Sequence, residues 1–334
     1  MQGLRASDLR FLAGLALPLG LLSNMLVHPG QAGWGALAVW VTVALADLIW
    51  PRSPGPGGPQ ESLLWILRLY VPVQVALLAV GLVVTANADW PVVLGVAYGA
   101  GFLTGAQGIT FAHELGHSKR KSDRALGWIL MTSVNYPQFM VEHYRGHHVR
   151  VATKDDPASA RLGEGLWRFL PRTVIGSTVH AWQLHRERPS ALPWAWAFNV
   201  AVIAVLVLLG QWKALVFWIG QSAFAVWLLE TVNYIEHYGL SRSKLANGQR
   251  EPFGVSHAWN ADHIFSNSLL ANLQRHSDHH MHAWKPYAQL EALPGPQLPT
   301  GYAGCLLLAA IPPLWFRVMH ARLDRTARAI PASP

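Results

Sequence analysis

Nine of the sixteen histidines in this 334-residue chain fall into a pattern that could hold metal. HELGH sets His113 and His117 four apart, HYRGHH carries His143, His147 and His148, and HSDHH carries His276, His279 and His280. Spacings of three and four bring side chains onto one helical face. A ninth imidazole, His237, sits in NYIEHYGL at the end of an apolar run. A catalytic zinc site typically takes three protein ligands, so nine donors suit two metal ions with positions left open for oxygen and substrate. Imidazole serves Zn, Cu, Fe and Ni alike, and ligand type alone does not name the metal.

HELGH also spells the H-E-x-x-H of zinc proteases, with Glu114 as general base. That reading consumes two histidines and one further ligand and leaves HYRGHH and HSDHH without a purpose. A metal transporter would place its ligands at the membrane midplane between broken helices, whereas these lie at the ends of apolar spans and beyond. Chance histidines at a surface account for a lone residue, not for three spaced boxes. His28, His180, His185 and His320 read as surface or interfacial residues, and His257, His263 and His282 stay open as ligands or supporting donors. Metal-bound histidines usually give their second N–H to a carboxylate or carbonyl. Glu114, Glu142, Glu236, Asp262 and Asp278, which neighbour the boxes, are the candidates for that role, while Asp155-Asp156 reads as a solvated turn or helix cap.

These boxes need a membrane scaffold. Apolar residues make up 51% of the chain and charged ones 13%, and the mean hydropathy is +0.22; that combination indicates an all-α integral membrane protein. Apolar spans at 9–27, 34–50, 63–86, 91–112, 192–210 and 214–235 predict six transmembrane helices in a single membrane domain, 1–334. HPGQAGW and NADW, between spans 1 and 2 and spans 3 and 4, contain no Lys or Arg, whereas Arg5, Arg10, Arg52, Lys119, Arg120, Lys121 and Arg124 flank the opposite ends. The positive-inside rule then puts both termini in the cytoplasm, with Lys213 as the one exception. Spans 4 and 6 run inward, so this topology gathers the histidine segments 113–188 and 236–290 on the cytoplasmic side. PRSPGPGGPQ (51–60) is a flexible turn, and in 302–319 Pro312-Pro313 argues against a seventh span. The N-terminus reads as mature chain without a cleavable leader. Asp47, inside span 2, is costly unless it is paired or wet. Trp34, Trp40 and Trp50 read first as interfacial anchors and second as walls of a substrate channel.

The net charge of +8 is spread over loops, as topology demands, and does not form the basic domain of a nucleic-acid binder. The lone Cys305 allows no intramolecular disulfide and no rubredoxin-type iron site, which needs several thiolates, so reducing electrons must come from a separate protein. Lys119, Arg120, Lys121, Arg124, Arg150 and Lys154 read either as a docking face for an acidic donor or as topology signals alone.

HELGH, EHYRGHHVRVATKDDPASAR, NYIEHYGL and LQRHSDHH resemble the signature segments of the membrane-bound alkane monooxygenases, part of the histidine-box group of membrane desaturases and hydroxylases. The likeness spans about residues 100 to 320. It implies a non-haem di-iron centre held by His113, His117, His143, His147, His148, His237, His276, His279 and His280, in a bacterial inner membrane and facing the cytoplasm. It further implies O2-dependent hydroxylation of the terminal methyl of medium- or long-chain n-alkanes, with electrons from rubredoxin and rubredoxin reductase. Hydroxylation of aromatic methyl groups is the rival within the same chemistry, with fatty-acid hydroxylation or desaturation behind it. Tyr144 departs from the family pattern, in which a smaller polar residue is expected.

Overall fold

A computed structural model describes residues 6–50, 52, 53, 55, 56 and 63–329. Arg5 and most of the 51–60 turn lie outside the described residues. Helices dominate: α1 (Ala13–Val27), α2 (Ala32–Ile49), α3 (Leu64–Asn87), α4 (Trp90–His117), α5 (Lys121–Ser133), α6 (Leu166–Glu187), α7 (Leu192–Leu208), α8 (Trp212–His237), α9 (Tyr302–Ala309) and α10 (Pro312–Ala329). Among the described residues there are isolated β-bridges but no strand.

Among the described residues, five helices are long and apolar enough to cross a bilayer: Ser7–Val27, Pro29–Ile49, Leu64–Asn87, Trp90–His117 and Trp212–His237. Their buried residues follow helical spacing, as with Ala32, Ala36, Trp40 and Ala44 on α2, while Leu37, Val41, Leu45 and Leu48 of the same helix face outward. An apolar outer face of this kind belongs against lipid. The expected fifth span is the 17-residue α7, shorter than the other five. The 302–319 stretch, not expected to span, breaks before Pro312 into α9 and α10, as the paired prolines require.

α4 is the axis of the bundle: 67% of its most apolar window is buried, against 22% for Ser7–Val27. Its glycines let α8 approach closely. A β-carbon on Gly101 would lie 2.6 Å from the Gln221 carbonyl oxygen, and one on Gly105 would lie 2.8 Å from the Ala225 Cα. Small residues at a helix crossing are how membrane helices gain packing contact without a hydrophobic driving force. Polar side chains also tie the helices together: the Thr104 hydroxyl donates to Gln221 (3.1 Å), and Asn199 donates to Asn135 (2.6 Å). Lys213, the topology exception, donates to the Ala88 carbonyl at 2.7 Å and so closes the end of α3. Asp47 is paired as its depth demands, accepting the Ser266 hydroxyl at 2.5 Å.

α4 runs five residues beyond the expected boundary at 112, so HELGH forms the last turns of the helix itself. The segment after it is no open loop. It folds into α5, a short helix at Phe139–Glu142, and α6, whose buried Leu166, Phe169, Thr173, Ser177 and Ala181 recur every three to four residues.

Candidate metal centre

The nine histidines converge from four places into two groups. His113, His117, His143, His148 and His279 form one, and His147, His237, His276 and His280 form the other; within each, one ring nitrogen per residue lies within 4.8 Å of the rest. HELGH feeds only the first group and His237, at the end of α8, only the second. The other two boxes are split between them.

Backbone geometry makes the split. His143–His147 is a π-helical turn, in which the hydrogen-bonding register lengthens to i→i+5. It brings His143 and His148 together, Nε2 to Nε2 at 3.0 Å, and sends His147 toward His237, with ring centroids 5.0 Å apart. In the short helix His276–Met281, His276 and His280 meet at 3.0 Å on one side. His279 turns to His113, centroid to centroid 4.4 Å.

Six of these residues are buried, His117, His148 and His280 are half-buried, and the rings are incompletely paired. Nε2 of His113, His117, His147 and His279, and Nδ1 of His237 and His280, have no hydrogen-bond partner. A buried polar atom left unsatisfied costs about 1–3 kcal/mol, so this concentration fits side chains arranged for metal. Burial, and then the neighbouring imidazoles, push His143, His148, His276, His279 and His280 below the ordinary histidine value. They are held neutral, the form that binds metal. His147 differs. Burial lowers it too, but the Asp156 carboxylate outweighs burial and raises it.

That carboxylate was the residue the sequence misassigned. Asp156 is no solvated turn: it is 1% exposed, and its Oδ2 lies 2.9 Å from His147 Nδ1 and accepts the Ser159 hydroxyl at 2.6 Å. Ala152, at φ +57°, turns the chain out of the box, and its N–H donates to Ser159 at 2.9 Å, which closes the loop back onto His147. Of the five acids flagged by adjacency, Glu236 approaches a clustered ring, with Oε1 3.2 Å from His276 Nδ1 but not aligned as a hydrogen bond. The Tyr302 hydroxyl holds Glu236 at 2.5 Å.

The remaining four acids face elsewhere. Glu114 accepts the Tyr287 N–H (3.0 Å), and Glu142 meets His180 Nδ1 (3.0 Å). Asp262 accepts from Arg275 (2.8 Å), and Asp278 meets His282 (2.7 Å) and Lys285 (2.8 Å). Neither group contains His257, His263 or His282. His180, read as a surface residue, instead contacts both Glu142 and Arg150. Tyr144 fits because HELGH carries glycine at 116, where a β-carbon would overlap its hydroxyl; that hydroxyl donates to the His113 carbonyl at 2.9 Å.

An apolar cavity ends at His113, His143 and His276. Leu17, Trp40, Phe102, Leu228 and Leu306 bring α1, α2, α4, α8 and α9 into its wall. Of the three tryptophans considered for a channel, Trp40 lines it and donates to the Ala303 carbonyl at 3.0 Å. Trp34 and Trp50 are 74% and 54% exposed and line no part of it.

The fatty acid desaturase family matches residues 88–304, which hold all nine histidines. The chain is 36% identical to alkane 1-monooxygenase 1 of Pseudomonas aeruginosa, over 93% of this chain and 88% of the relative. It is 38% identical to the alkane 1-monooxygenase of Ectopseudomonas oleovorans, over 86% and 78%. The xylene/toluene monooxygenase hydroxylase component of Pseudomonas putida is more distant, at 26% identity over 68% and 63%.

Proposed function

We propose a function from a settled premise: the chain belongs to the fatty acid desaturase family, and within it to the alkane 1-monooxygenases. As an oxygenase of that group it hydroxylates the terminal methyl of medium- or long-chain n-alkanes to 1-alkanols, using O2 and electrons from rubredoxin and its reductase. The observation that carries the reading is the apolar cavity ending on two histidine groups. Two non-haem irons bound by His113, His117, His143, His148 and His279 and by His147, His237, His276 and His280 would supply the oxidising power to attack an unactivated C–H bond.

The chain's own residues do the rest. The neutral imidazoles present unprotonated nitrogens, and Asp156 fixes His147 in one tautomer by taking its Nδ1–H. The cavity wall excludes water and admits an apolar chain from the bilayer, into which alkanes partition at about 0.8 kcal/mol per methylene. Phe102, Phe139, Leu228 and Leu273 line it, and a passage narrow enough to admit only a chain end brings the methyl group to the histidines first. Such positioning can be worth about 7–11 kcal/mol and directs attack to the methyl group, although its C–H bond is the strongest in the molecule.

In this reading α7 completes six spans; at 1.5 Å per residue it covers about 25 Å, close to the hydrocarbon thickness. Both termini and the metal centre then face the cytoplasm of a bacterial inner membrane, as the Lys and Arg distribution supports. Lys119, Arg120, Lys121 and Arg124 sit beside the end of α4, suitably placed for an acidic donor protein.

The test supplies isotopically labelled O2 with octane, dodecane and p-xylene to membranes containing rubredoxin, its reductase and NADH. Labelled 1-alkanol that disappears in His143→Ala and His279→Ala is expected. Labelled 4-methylbenzyl alcohol without alkanol would transfer the assignment to aromatic methyl groups. Unlabelled or absent product from every substrate would sink both.

A further inference from the structure

Hydroxylation of an alkane by O2 puts one oxygen atom into a C–H bond and releases the other as water. That balance consumes two protons along with the two electrons of the reduced donor. The substrate cavity is a poor path for protons, because its wall is apolar and protons move along side chains and waters.

A second route lies beside it. Phe139, His143 and Asn233 are shared between the apolar cavity and a small chamber with room for about one water. His147 also lines the chamber, which therefore touches one histidine of each group. Its polar wall is Tyr136, Glu142, Ser177 and Glu230. On the outer side, Glu142 Oε1 meets His180 Nδ1 at 3.0 Å, and His180 contacts Arg150, both of them half-buried.

Glu230 stands at the centre of this wall. It is 2% exposed and lies on α8 seven residues before His237, two helical turns back on the same face. A carboxyl inside a membrane span is expensive, and one that faces the bundle interior marks a proton or ion path by default. Three donors from three parts of the chain hold it. The Tyr136 hydroxyl donates to Oε1 at 2.8 Å, and the Thr173 hydroxyl and Asn233 amide donate to Oε2 at 2.8 and 3.0 Å. The titratable groups facing it are Tyr136, Glu142, His143 and His147; among the described residues no Lys or Arg lines the chamber. A cation there would lock the carboxylate in an ion pair. Neutral donors leave it able to gain and lose a proton.

We propose that Glu230 is the proton relay of the oxygen chemistry. Its carboxyl O–H hands a proton through the chamber toward the face shared by His143 and His147, and bulk water refills it past His180. The O–H bond at Glu230 breaks, an O–H bond of product forms, and the carboxylate regains its proton. Two such passes complete one turnover and leave Glu230 as it began. This inference rests on the hydroxylase reading and adds to it the source of the protons.

The experiment compares wild type, Glu230→Gln, Glu230→Asp and Thr173→Val in membranes supplied with octane, rubredoxin, its reductase and NADH. Glu230→Gln keeps the size of the side chain but cannot ionise. Its kcat should fall about 100-fold, with KM and metal content unchanged, and the ratio of its rates in H2O and D2O should rise. Glu230→Asp keeps the ionisable group and should regain most of the rate. Thr173→Val removes one donor and keeps the carboxyl, so it should lose less than about tenfold. Infrared difference spectra of the metal-free protein across the working pH range need no turnover. They should contain a carboxyl band, sensitive to D2O and to 13C-glutamate, that Glu230→Gln removes.

An unchanged kcat and isotope ratio in Glu230→Gln overturn the relay. So do equal losses in all three variants, which would mean that the carboxyl only staples α6 to α8. If the Glu230 variants do not insert, a wild-type spectrum without a protonating glutamate band overturns it equally. Wild type that makes no alkanol sinks the hydroxylase reading, and the infrared band still decides whether Glu230 takes up a proton. Full alkanol yield in Glu230→Gln does the reverse, refuting the relay and leaving the hydroxylase reading standing.

Discussion

The two histidine groups draw on the same boxes yet are held in different ways. The four-membered group is braced by acids: Asp156 on His147 at 2.9 Å, and Glu236, itself held by Tyr302, 3.2 Å from His276. Among the described residues, no carboxylate reaches a ring of the five-membered group. Those rings are set by packing, with Phe139 stacked on His143 at 4.5 Å and Tyr144 edge-on to His117 at 4.7 Å. One position thus has fewer imidazoles and nearby negative charge, and the other has more imidazoles and none. Two metals of the same element would therefore differ in affinity and in electron richness, and the four-histidine position depends more on each of its parts.

Removing a ligand is the severest way to break this asymmetry. His237→Ala leaves three imidazoles in the smaller group, whereas His117→Ala leaves four in the larger one. His237→Ala should lose about one metal equivalent per chain and fall at least about 100-fold in hydroxylation, in line with the dependence of binding on a complete donor set. His117→Ala should keep more of both. Metal analysis of the purified variants alongside labelled-alkanol yield decides it, and equal losses would show that the groups are equivalent.

Removing a brace is gentler. Asp156→Asn keeps the shape of the side chain but gives up the charge that orients His147, and outer partners of this kind typically carry about 10–100-fold in metal affinity or activity. Stepwise metal titration should show one equivalent weakened by that factor and the other unmoved. Both weakening together would mean that Asp156 supports the site as a whole and not the smaller group.

How far this asymmetry was legible in the sequence differs from part to part. The gathering of the nine histidines was, because the boxes display imidazoles at helical spacing. Their division was not, since it depends on a π-helical turn at His143–His147 that residue types do not announce. Adjacency misled for the acids. Neighbouring positions on a helix point about 100° apart, so Glu114 and Glu142 face away from His113 and His143. Asp156 reaches its histidine from nine residues downstream through a turn that no local periodicity marks. Five of the six expected spans were readable from apolar length, but the extension of α4 through HELGH was not, because polar histidines end an apolar run in sequence without ending the helix.

The smallest expected effect lies one step behind Asp156. Arg172 donates to the Pro157 and Ser159 carbonyls at 3.0 and 3.1 Å, pinning the turn that carries Asp156, and grips Glu164 with two bonds of 2.7 and 2.8 Å. Burial pushes the Glu164 carboxyl up, but these bonds and the Arg161 N–H outweigh burial and hold it below the ordinary glutamate value of 4.5. A depressed carboxyl contributes stability that is complete above its unfolded value and disappears as pH falls through the folded one. Arg172→Gln should therefore lower the thermal inactivation midpoint by a few degrees near neutrality, equivalent to about 1 kcal/mol for a partly exposed pair. The gap should narrow as pH drops below 4.5. Metal affinity at the smaller group should weaken less than in Asp156→Asn, since the turn is loosened and the carboxylate kept. Thermal scans across pH with a parallel metal titration check both parts. A gap that widens in acid would mean that Glu164 is not held ionised by Arg172, and a metal loss as large as that of Asp156→Asn would make Arg172 an equal partner in bracing His147.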